Sequence, residues 1–434
     1  MKYKISKYAI KITESEGKTV LFNSLSGEVI NLDNDLYSII IQSVFDETIP
    51  FFEELKQKRY IVPEAQDEFK LLRYNEILTQ QTIPQTTLSY VIAPTSACNY
   101  RCEYCFEGKD HPKITMDSET ITNVLRFIDD ELTKNSSIEN LFVTWFGGEP
   151  LLCMEEICTL GEGLKNIAIA RDVKFSSSII TNGVFFTKSN VDLLVEKCNL
   201  ESAQITFDGT VENYCKIKRA SVADYHAVLK NIADNYETIE IKIRLNGNKK
   251  NIDDIYRLID QLYSEMGFTD KLRVYLAQII NYGIDSEDDK FFTYQEYKDE
   301  VEKIEEYLNK KQYISTTPKR ILPCHSLVSC KLAHKNNYAI GPRGELYKCE
   351  QHIGDLTKIV GNVTEGLLYT SCYFDYILGV IDSRCSECSV YPICNYYARC
   401  PQLHKTIAKN DTKSCCVYET VLAKIKKRVL RDIE

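Results

Sequence analysis

Short apolar segments alternate with helical segments from about residue 87 to residue 280, and this alternation restricts the fold more than any other feature. The six strand candidates are residues 88–94, 140–146, 174–181, 202–208, 240–246 and 272–279. Six strand–helix units in a row predict a parallel sheet with right-handed crossovers. We therefore expect an α/β fold, an open or partial (β/α)6 barrel, with functional residues at the carboxyl ends of its strands.

The first strand candidate is followed by a loop with three cysteines, Cys98, Cys102 and Cys105, in the spacing CxxxCxxC. Their thiolates could bind three irons of a cubane. The fourth iron would then be open to a small molecule that chelates through an amine and a carboxylate. The alternative is a structural zinc site, which requires four ligands, and the loop has no fourth cysteine or histidine nearby. The spacing therefore favours an iron–sulfur cluster.

Polar turns follow the next three strand candidates. They are WFGGEP at 145–150, TNG at 181–183 and TFDG at 206–209. Glycines let a backbone approach a ligand closely, and the carboxylate of Glu149 can accept hydrogen bonds from an ammonium group. Because the carboxyl ends of parallel strands share one edge of a sheet, we expect these turns and the cysteine loop to meet.

The CxxxCxxC loop with Tyr104 before its last cysteine resembles the signature of the radical S-adenosylmethionine (SAM) superfamily, and the later turns resemble that family's SAM-binding motifs. The resemblance implies a [4Fe–4S] cluster on Cys98, Cys102 and Cys105. One electron from this cluster would cleave SAM to a 5′-deoxyadenosyl radical. A flavodoxin- or ferredoxin-type protein would supply the electron. The implied SAM contacts are Tyr104, Gly147, Gly148, Glu149, Asn182, Thr206, Arg219 and Arg244. Two of these contacts are arginines that could bind the SAM carboxylate, and a surface or structural role is the alternative for each.

The C-terminal region carries ten more cysteines between residues 324 and 416. Their pattern, with Gx₄C ending at Cys349 and CxxCx₅C beginning at Cys385, resembles the SPASM domain of radical SAM enzymes. The resemblance implies two auxiliary [4Fe–4S] clusters, and so three clusters in all. These clusters would either stabilise the structure of this region or transfer electrons. Cys416 remains an alternative to Cys415. The implied ligands are Cys324, Cys330, Cys349 and Cys400 for cluster I, and Cys385, Cys388, Cys394 and Cys415 for cluster II.

Three domains are predicted from these patterns. Residues 1–82 read as a winged-helix-like α+β module that resembles leader-peptide recognition elements, with a structural cap as the alternative. Residues 83–318 would form the TIM-like partial barrel, and residues 319–434 the SPASM domain. The polar segment 75–87, which contains a proline, is expected to be a linker.

Composition limits the class of partner. The formal net charge of −9 argues against a nonspecific nucleic-acid binder. The first residues lack the apolar core of a signal peptide, and no segment has the length of apolar sequence that a membrane span needs. Seventeen cysteines fit metal sites in a reducing compartment. We therefore expect a cytoplasmic protein that binds neither membrane nor nucleic acid.

The resemblance implies a radical SAM maturase that acts on a ribosomally synthesised precursor peptide with a leader. The frequency of thioether formation in the family makes a bond between a cysteine sulfur and a carbon the expected product. Carbon–carbon cross-linking and epimerisation remain open. A sulfatase-maturing enzyme is disfavoured because VFFTKS at 184–189 lacks the carboxylate found after TNG in those enzymes. A non-catalytic metal-binding scaffold for a peptide is the alternative from another class.

Overall fold

A computed structural model describes the chain in two compact units. The first unit contains residues 1–83, 317–330 and 378–434, and the second contains residues 84–316 and 331–377. This grouping does not test the three predicted domains, which stay a prediction. None of the helices in the described ranges has the length and apolar character needed to cross a bilayer. The described residues are 1–15, 17–42, 44–82, 85–106, 113–268, 272–280, 288–313, 330–379, 383–394, 400–403 and 418–433.

The elements are numbered along the chain. The strands are β1 Tyr3–Ile5, β2 Ala9–Ser15, β3 Lys18–Asn23, β4 Val29–Asp33, β5 Ile61–Pro63, β6 Thr87–Thr95, β7 Asn140–Gly147, β8 Lys174–Thr181, β9 Leu200–Thr206, β10 Glu240–Gly247, β11 Leu272–Gln278, β12 Tyr338–Ile340, β13 Glu345–Tyr347, β14 Gly361–Asn362 and β15 Gly366–Leu367. The helices are α1 Asn34–Gln42, α2 Phe52–Gln57, α3 Glu68–Thr82, α4 Ser118–Lys134, α5 Met154–Arg171, α6 Lys188–Cys198, α7 Val211–Lys218, α8 Val222–Asn235, α9 Ile252–Asp260, α10 Tyr294–Lys310, α11 Ser371–Leu378 and α12 Tyr418–Ile433.

The second unit is built on one large sheet with the order β11-β10-β9-β8-β7-β6-β12-β13-β14-β15. All pairings from β11 to β6 are parallel, as is the pairing of β6 with β12, and the last three pairings are antiparallel. All six predicted strands are present. The predicted α/β class with a mainly parallel central sheet is therefore confirmed.

Helix α4 shows why the helices pack on this sheet. Asp117 begins it, because its carboxylate accepts a hydrogen bond from the backbone amide of Thr120. Four buried side chains, Ile121, Val124, Ile128 and Leu132, recur three or four residues apart and so form one apolar stripe. Burial of each such side chain contributes about 1.5–3 kcal/mol. The core of the second unit lies between stripes of this kind and the outer face of the sheet.

The N-terminal part of the first unit contains five short strands and the helices α1 to α3. Strands β2, β3 and β4 form an antiparallel sheet, and β1 pairs antiparallel with β5. A second apolar cluster joins Ile10 of β2 and Phe22 of β3 to Val390 and to Ile425 of α12. Residues from both ends of the sequence therefore share one core within this unit.

The prediction that residues 75–87 form a linker is wrong for the first part of this segment. Residues 75–82 belong to helix α3. Phe69 and Leu72 are buried on one side of this helix, and Arg73 forms a largely buried ion pair with Glu76 at 2.7 Å. These tertiary contacts stabilise a helix that the polar composition does not reveal, because local propensity is a weak guide when one face is buried.

Candidate functional site

The cysteine loop, residues 98–105, follows β6 at the carboxyl edge of the sheet. Two backbone amides attach it to the end of α7: the amide of Glu103 donates to the carbonyl of Ile217 at 3.0 Å, and that of Arg101 donates to the carbonyl of Lys218 at 3.4 Å. The Arg101 guanidinium also donates to the carbonyl of Cys98 at 3.0 Å. The loop is therefore held by main-chain contacts that do not depend on a bound group.

The thiols of Cys98, Cys102 and Cys105 line one cleft, together with the turn after β7. The amide of Tyr100 donates to the Sγ atom of Cys98 at 3.4 Å. Among the side chains that the structure describes, no three potential ligands converge on one point as they do in a closed metal site. The donor set nevertheless fits an iron–sulfur cluster, because the three partly exposed thiols and a backbone donor to sulfur face the same space.

The turn after β7 requires glycine for a steric reason. A Cβ atom at Gly147 would lie 2.1 Å from the carbonyl oxygen of Thr95, and one at Gly148 would lie 2.4 Å from that of Ala97. Gly147 also has a φ of +132°, which side chains with a Cβ rarely adopt. The two glycines thus bring the ends of β7 and β6 into direct contact beside the cysteine loop.

Glu149 is fully buried beneath this turn. Its carboxylate accepts hydrogen bonds from the hydroxyl of Thr181 at 2.7 Å, from the amide of Asn182 at 2.8 Å and from the amide of Leu151 at 3.1 Å. Burial raises the pKa of this carboxyl, while the three donors act in the opposite direction. Glu149 therefore fastens the turn after β7 to the turn after β8.

A buried ion pair lies on the other side of the cleft. The Nζ atom of Lys218, which lines the cleft, is 3.1 Å from Oδ2 of Asp208, and both side chains are almost fully buried. Tyr104 donates its hydroxyl proton to the same carboxylate at 2.5 Å, and Asn246 donates to Oδ1 at 3.0 Å. Lys218 also donates to the hydroxyl of Thr206 at 2.9 Å.

The electrostatics of this group follow from its burial. Burial lowers the pKa of Lys218, but the negative charge of Asp208 and the neighbouring Cys102 thiol reverse the effect and hold it above its usual value. Burial also raises the pKa of Tyr104 well above its usual range, and Asp208 adds to this shift. Tyr104 is thus neutral: its hydroxyl donates to Asp208, which follows β9, and accepts from Asn246 of β10 at 3.0 Å.

The predicted SAM contacts separate into two groups. Tyr104, Gly147, Gly148, Asn182 and Thr206 line the cleft. Arg219 is exposed and follows α7 in the left-handed conformation, and Arg244 donates through Nε to Asn246 at 2.9 Å. Their roles toward SAM stay predictions, as does that of Glu149.

Lys218, which directly precedes Arg219, was not among the predicted site residues. Two adjacent cations in KIKRA carry no sequence signal that separates them. Lys218 is buried with Asp208, whereas the left-handed turn at Arg219 leaves that side chain exposed. Only the burial of the helix end distinguishes them.

The predicted auxiliary-cluster ligands are placed only in part. Cys330 and Cys400 lie in the first unit and Cys349 in the second, while Cys324 lies outside the described residues. Cys415 and its alternative Cys416 also lie outside them. Three predicted ligands of cluster II, Cys385, Cys388 and Cys394, lie in one segment of short turns in the first unit. All eight assignments stay predictions.

The fold and the cleft define the class. A row of parallel strands carries a three-cysteine loop and a glycine turn at its carboxyl edge, which is the arrangement expected of a radical SAM partial barrel. Residues 92–262 match the Radical SAM superfamily. The segment at residues 92–262 is therefore assigned to the Radical SAM superfamily, which is a superfamily of enzymes.

Two curated proteins are similar in sequence. The radical SAM cyclopropyl synthase TigE of Paramaledivibacter caminithermalis is 24% identical over 323 residues, which span 60% of this chain and 67% of TigE. An S-adenosylmethionine-dependent nucleotide dehydratase of Pseudoalteromonas ulvae is 29% identical over 124 residues, which span 26% of this chain and 38% of that protein.

Solved structures share the fold at low sequence identity. The structure of anSMEcpe with bound AdoMet has a TM-score of 0.58 at 15% identity and covers 80% of this chain and 98% of its own. SuiB of Streptococcus suis bound to the precursor peptide SuiA has a TM-score of 0.53 at 15% identity and covers 91% and 96%. The resemblance to SuiB extends over more of this chain than the radical SAM domain alone.

Proposed function

We propose that this protein is a radical SAM maturase of a ribosomally synthesised precursor peptide. The observation that carries the proposal is the shared cleft, in which the three thiols of the cysteine loop face the glycine turn after β7 and the polar residues Asn182 and Thr206. A [4Fe–4S] cluster on these thiols would supply the electron that cleaves SAM to a 5′-deoxyadenosyl radical. Two auxiliary clusters, for a total of three, complete the proposed cofactor set.

The residues of the cleft have distinct roles in this proposal. Gly147 and Gly148 let this turn pack against the backbone that leads from β6 into the cysteine loop, where a Cβ atom would not fit. Glu149 holds that turn against the one at Asn182. Asp208 fixes Tyr104 and Lys218 through hydrogen bonds, so the wall of the cleft beside the cluster is rigid.

A peptide substrate is supported by the first unit. Strand β4 pairs with β3 alone among the described strands, so its other edge could accept a leader segment as an added strand. Exposed apolar side chains follow on α1 and before α2, at Ile39, Ile41 and Phe51. SuiB, which shares the fold over 91% of this chain, has been solved with its precursor peptide.

The bond made in the product has two candidates. In the first, the radical removes a hydrogen atom from a carbon of the peptide, a cysteine sulfur bonds to that carbon as its thiol loses a proton, and one electron would pass to an auxiliary cluster. The product is a thioether. In the second, the carbon radical bonds to another carbon, which loses its hydrogen as a proton, and one electron would again pass to an auxiliary cluster. The similarity to the cyclopropyl synthase TigE favours this second candidate.

The first experiment measures iron and 5′-deoxyadenosine. After anaerobic reconstitution we expect about twelve irons per chain from three cubanes. Changing Cys98, Cys102 and Cys105 together to Ala should remove about a third of this iron and abolish formation of 5′-deoxyadenosine from SAM and reductant. Cys158→Ala is the matched control, because Cys158 lies on α5 outside the cysteine loop. Intact clusters in the wild type without 5′-deoxyadenosine would refute the catalytic proposal, and zinc in place of iron would favour a scaffold.

The second experiment identifies the bond. A cysteine-containing precursor encoded beside the gene is incubated with enzyme, SAM and reductant, and then alkylated with iodoacetamide. A thioether and a carbon–carbon bond both lower the mass by two hydrogens, but only the thioether blocks alkylation of a cysteine. An unchanged mass after turnover would leave epimerisation as the candidate, which deuterium incorporation from D₂O would detect.

A further inference from the structure

The large sheet has one polar face, although both faces of a parallel sheet are usually covered by apolar side chains. On one face, Ile179, Ile205 and Ile243 of β8, β9 and β10 are fully buried in the core beneath the helices. Side chains alternate between the two faces of a strand, so Ser178 and Gln204 lie on the opposite face, which we call the inner face. Both of these polar side chains are half-buried. The inner face is therefore not closed by an apolar layer at these positions.

The inner face continues into the cleft beside the cysteine loop. Ile180 and Thr206 come two residues after Ser178 and Gln204 on the same face, and both line the cleft. Thr206 is paired in register with Arg244 of β10. Arg244 is therefore a direct neighbour of the cleft wall. A substrate segment that extends from the cleft along the inner face would meet the side chain of Arg244.

Hydrogen bonds hold the polar side chains around Arg244 in place. Its Nε atom donates to Oδ1 of Asn246 at 2.9 Å, and the hydroxyl of Tyr275 donates to Oε1 of Gln204 at 2.6 Å. Tyr275 is paired in register with Arg244 on the neighbouring strand. Burial raises the pKa of Tyr275, and the positive charge of Arg244 beside it opposes this shift. The bond through Nε orients the plane of the guanidinium group, whose Nη atoms carry further N–H donors.

The charge of Arg244 has no counter-ion among the carboxylates that the structure describes. Lys242, two residues earlier on the same strand and face, lies 3.5 Å from Glu240, and Arg273 lies 3.7 Å from the same carboxylate. The cations farther from the cleft are thus paired, whereas the half-buried cation beside the cleft is not. The chain as a whole carries a formal net charge of −9, so this local positive charge is an exception. An anionic ligand would compensate it.

We propose that Arg244 binds a carboxylate of the peptide substrate, so that an Asp or Glu side chain near the modified residue is a requirement for recognition. This inference rests on the proposed function as a peptide maturase. A guanidinium group and a carboxylate form two parallel hydrogen bonds in a planar arrangement, which gives specificity for the acid over its amide. SAM also offers a carboxylate, and the experiment must separate these two sources.

The test compares matched peptides on one enzyme. The precursor that is modified in the experiment on the bond is prepared in its natural form, and with each Asp or Glu of its modified segment changed singly to Asn or Gln. We measure kcat/KM for each peptide with full-length, cluster-loaded enzyme, SAM and reductant. At one position the wild type should prefer the acidic peptide by about tenfold to hundredfold, the effect of losing a hydrogen bond between charged groups. Arg244→Gln should process both peptides with equal kcat/KM.

Two variants control this measurement. Arg244→Lys retains the positive charge and should retain part of the preference for the acidic peptide. Lys242→Gln is the matched control, because Lys242 lies on the same strand and face but is already paired with Glu240, and it should show the wild-type preference. The readout is a ratio between two peptides on the same enzyme. Weaker SAM binding, cluster loss or partial misfolding lowers both rates and leaves this ratio unchanged.

The outcomes distinguish this inference from the proposed function. A wild-type preference in Arg244→Gln would overturn the role of Arg244, as would efficient modification of a precursor that has no acidic residue in its modified segment. An equal loss with both peptides, together with weaker SAM binding in isothermal titration, would assign Arg244 to the carboxylate of SAM instead. Formation of 5′-deoxyadenosine without modification of the precursor would refute the proposed maturase and this inference with it.

Discussion

Removing either partner of the buried ion pair between Lys218 and Asp208 should strongly destabilise the second unit. At 3.1 Å, with an effective dielectric constant of about 20, the attraction between the two charges is about 5 kcal/mol. Lys218→Met leaves the buried carboxylate with only Tyr104 and Asn246 as donors. Removing one partner of a buried pair typically costs about 3–5 kcal/mol, and we expect a loss of that size.

The only tryptophan of the chain provides the assay. Trp145 is fully buried on β7, so its fluorescence in urea reports unfolding of the second unit specifically. Asp208→Asn should destabilise this unit by a similar amount. The double variant Asp208→Asn/Lys218→Met should recover much of the loss, because no uncompensated charge remains buried. If Lys218→Met unfolds at the wild-type urea concentration, or if the two losses simply add, the ion pair is not the stabilising contact that its geometry indicates.

Two further predictions concern the turn after β7. Gly147→Ala should destabilise the second unit and abolish SAM binding, because the new Cβ atom would meet the carbonyl of Thr95 at 2.1 Å; Gly267→Ala, at a φ of +68° with no atom within 4 Å, is the control that carries backbone strain alone. Equal losses in the two variants, measured by urea unfolding and isothermal titration with SAM, would contradict the steric argument. Burial raises the pKa of Glu149 from 4.5, so the folded state binds this proton more tightly than the unfolded state. The stability that results is fully present below the pKa of the unfolded state and is lost as pH rises through the pKa of the folded state. The difference in free energy of unfolding between wild type and Glu149→Gln should follow the same course. A difference that does not change with pH from 4 to 7 would refute this prediction.

Several features of the fold and the site were predictable because they depend on local sequence. Alternation of β-branched and helical segments has a period that is visible in a single chain, and all six parallel strands were found from it. The cysteine loop and the glycine turn each lie directly after a strand. The carboxyl edge of a parallel sheet brings such turns together whatever the helices do, so the composition of the cleft was largely predictable.

The sequence by itself thus determined the parallel sheet, the order of the motifs along its edge and the thiols that face the cleft. Tertiary packing decided that Lys218 and not Arg219 enters the cleft, because the direction of a side chain at the end of α7 depends on which face of the helix is buried. Packing also made residues 75–82 helical and joined β2 and β3 to the segment around Cys388. Contacts between residues that are hundreds of positions apart leave no local periodicity in the sequence. For this reason the packing of β2 and β3 against the segment around Cys388 is visible only in the folded chain.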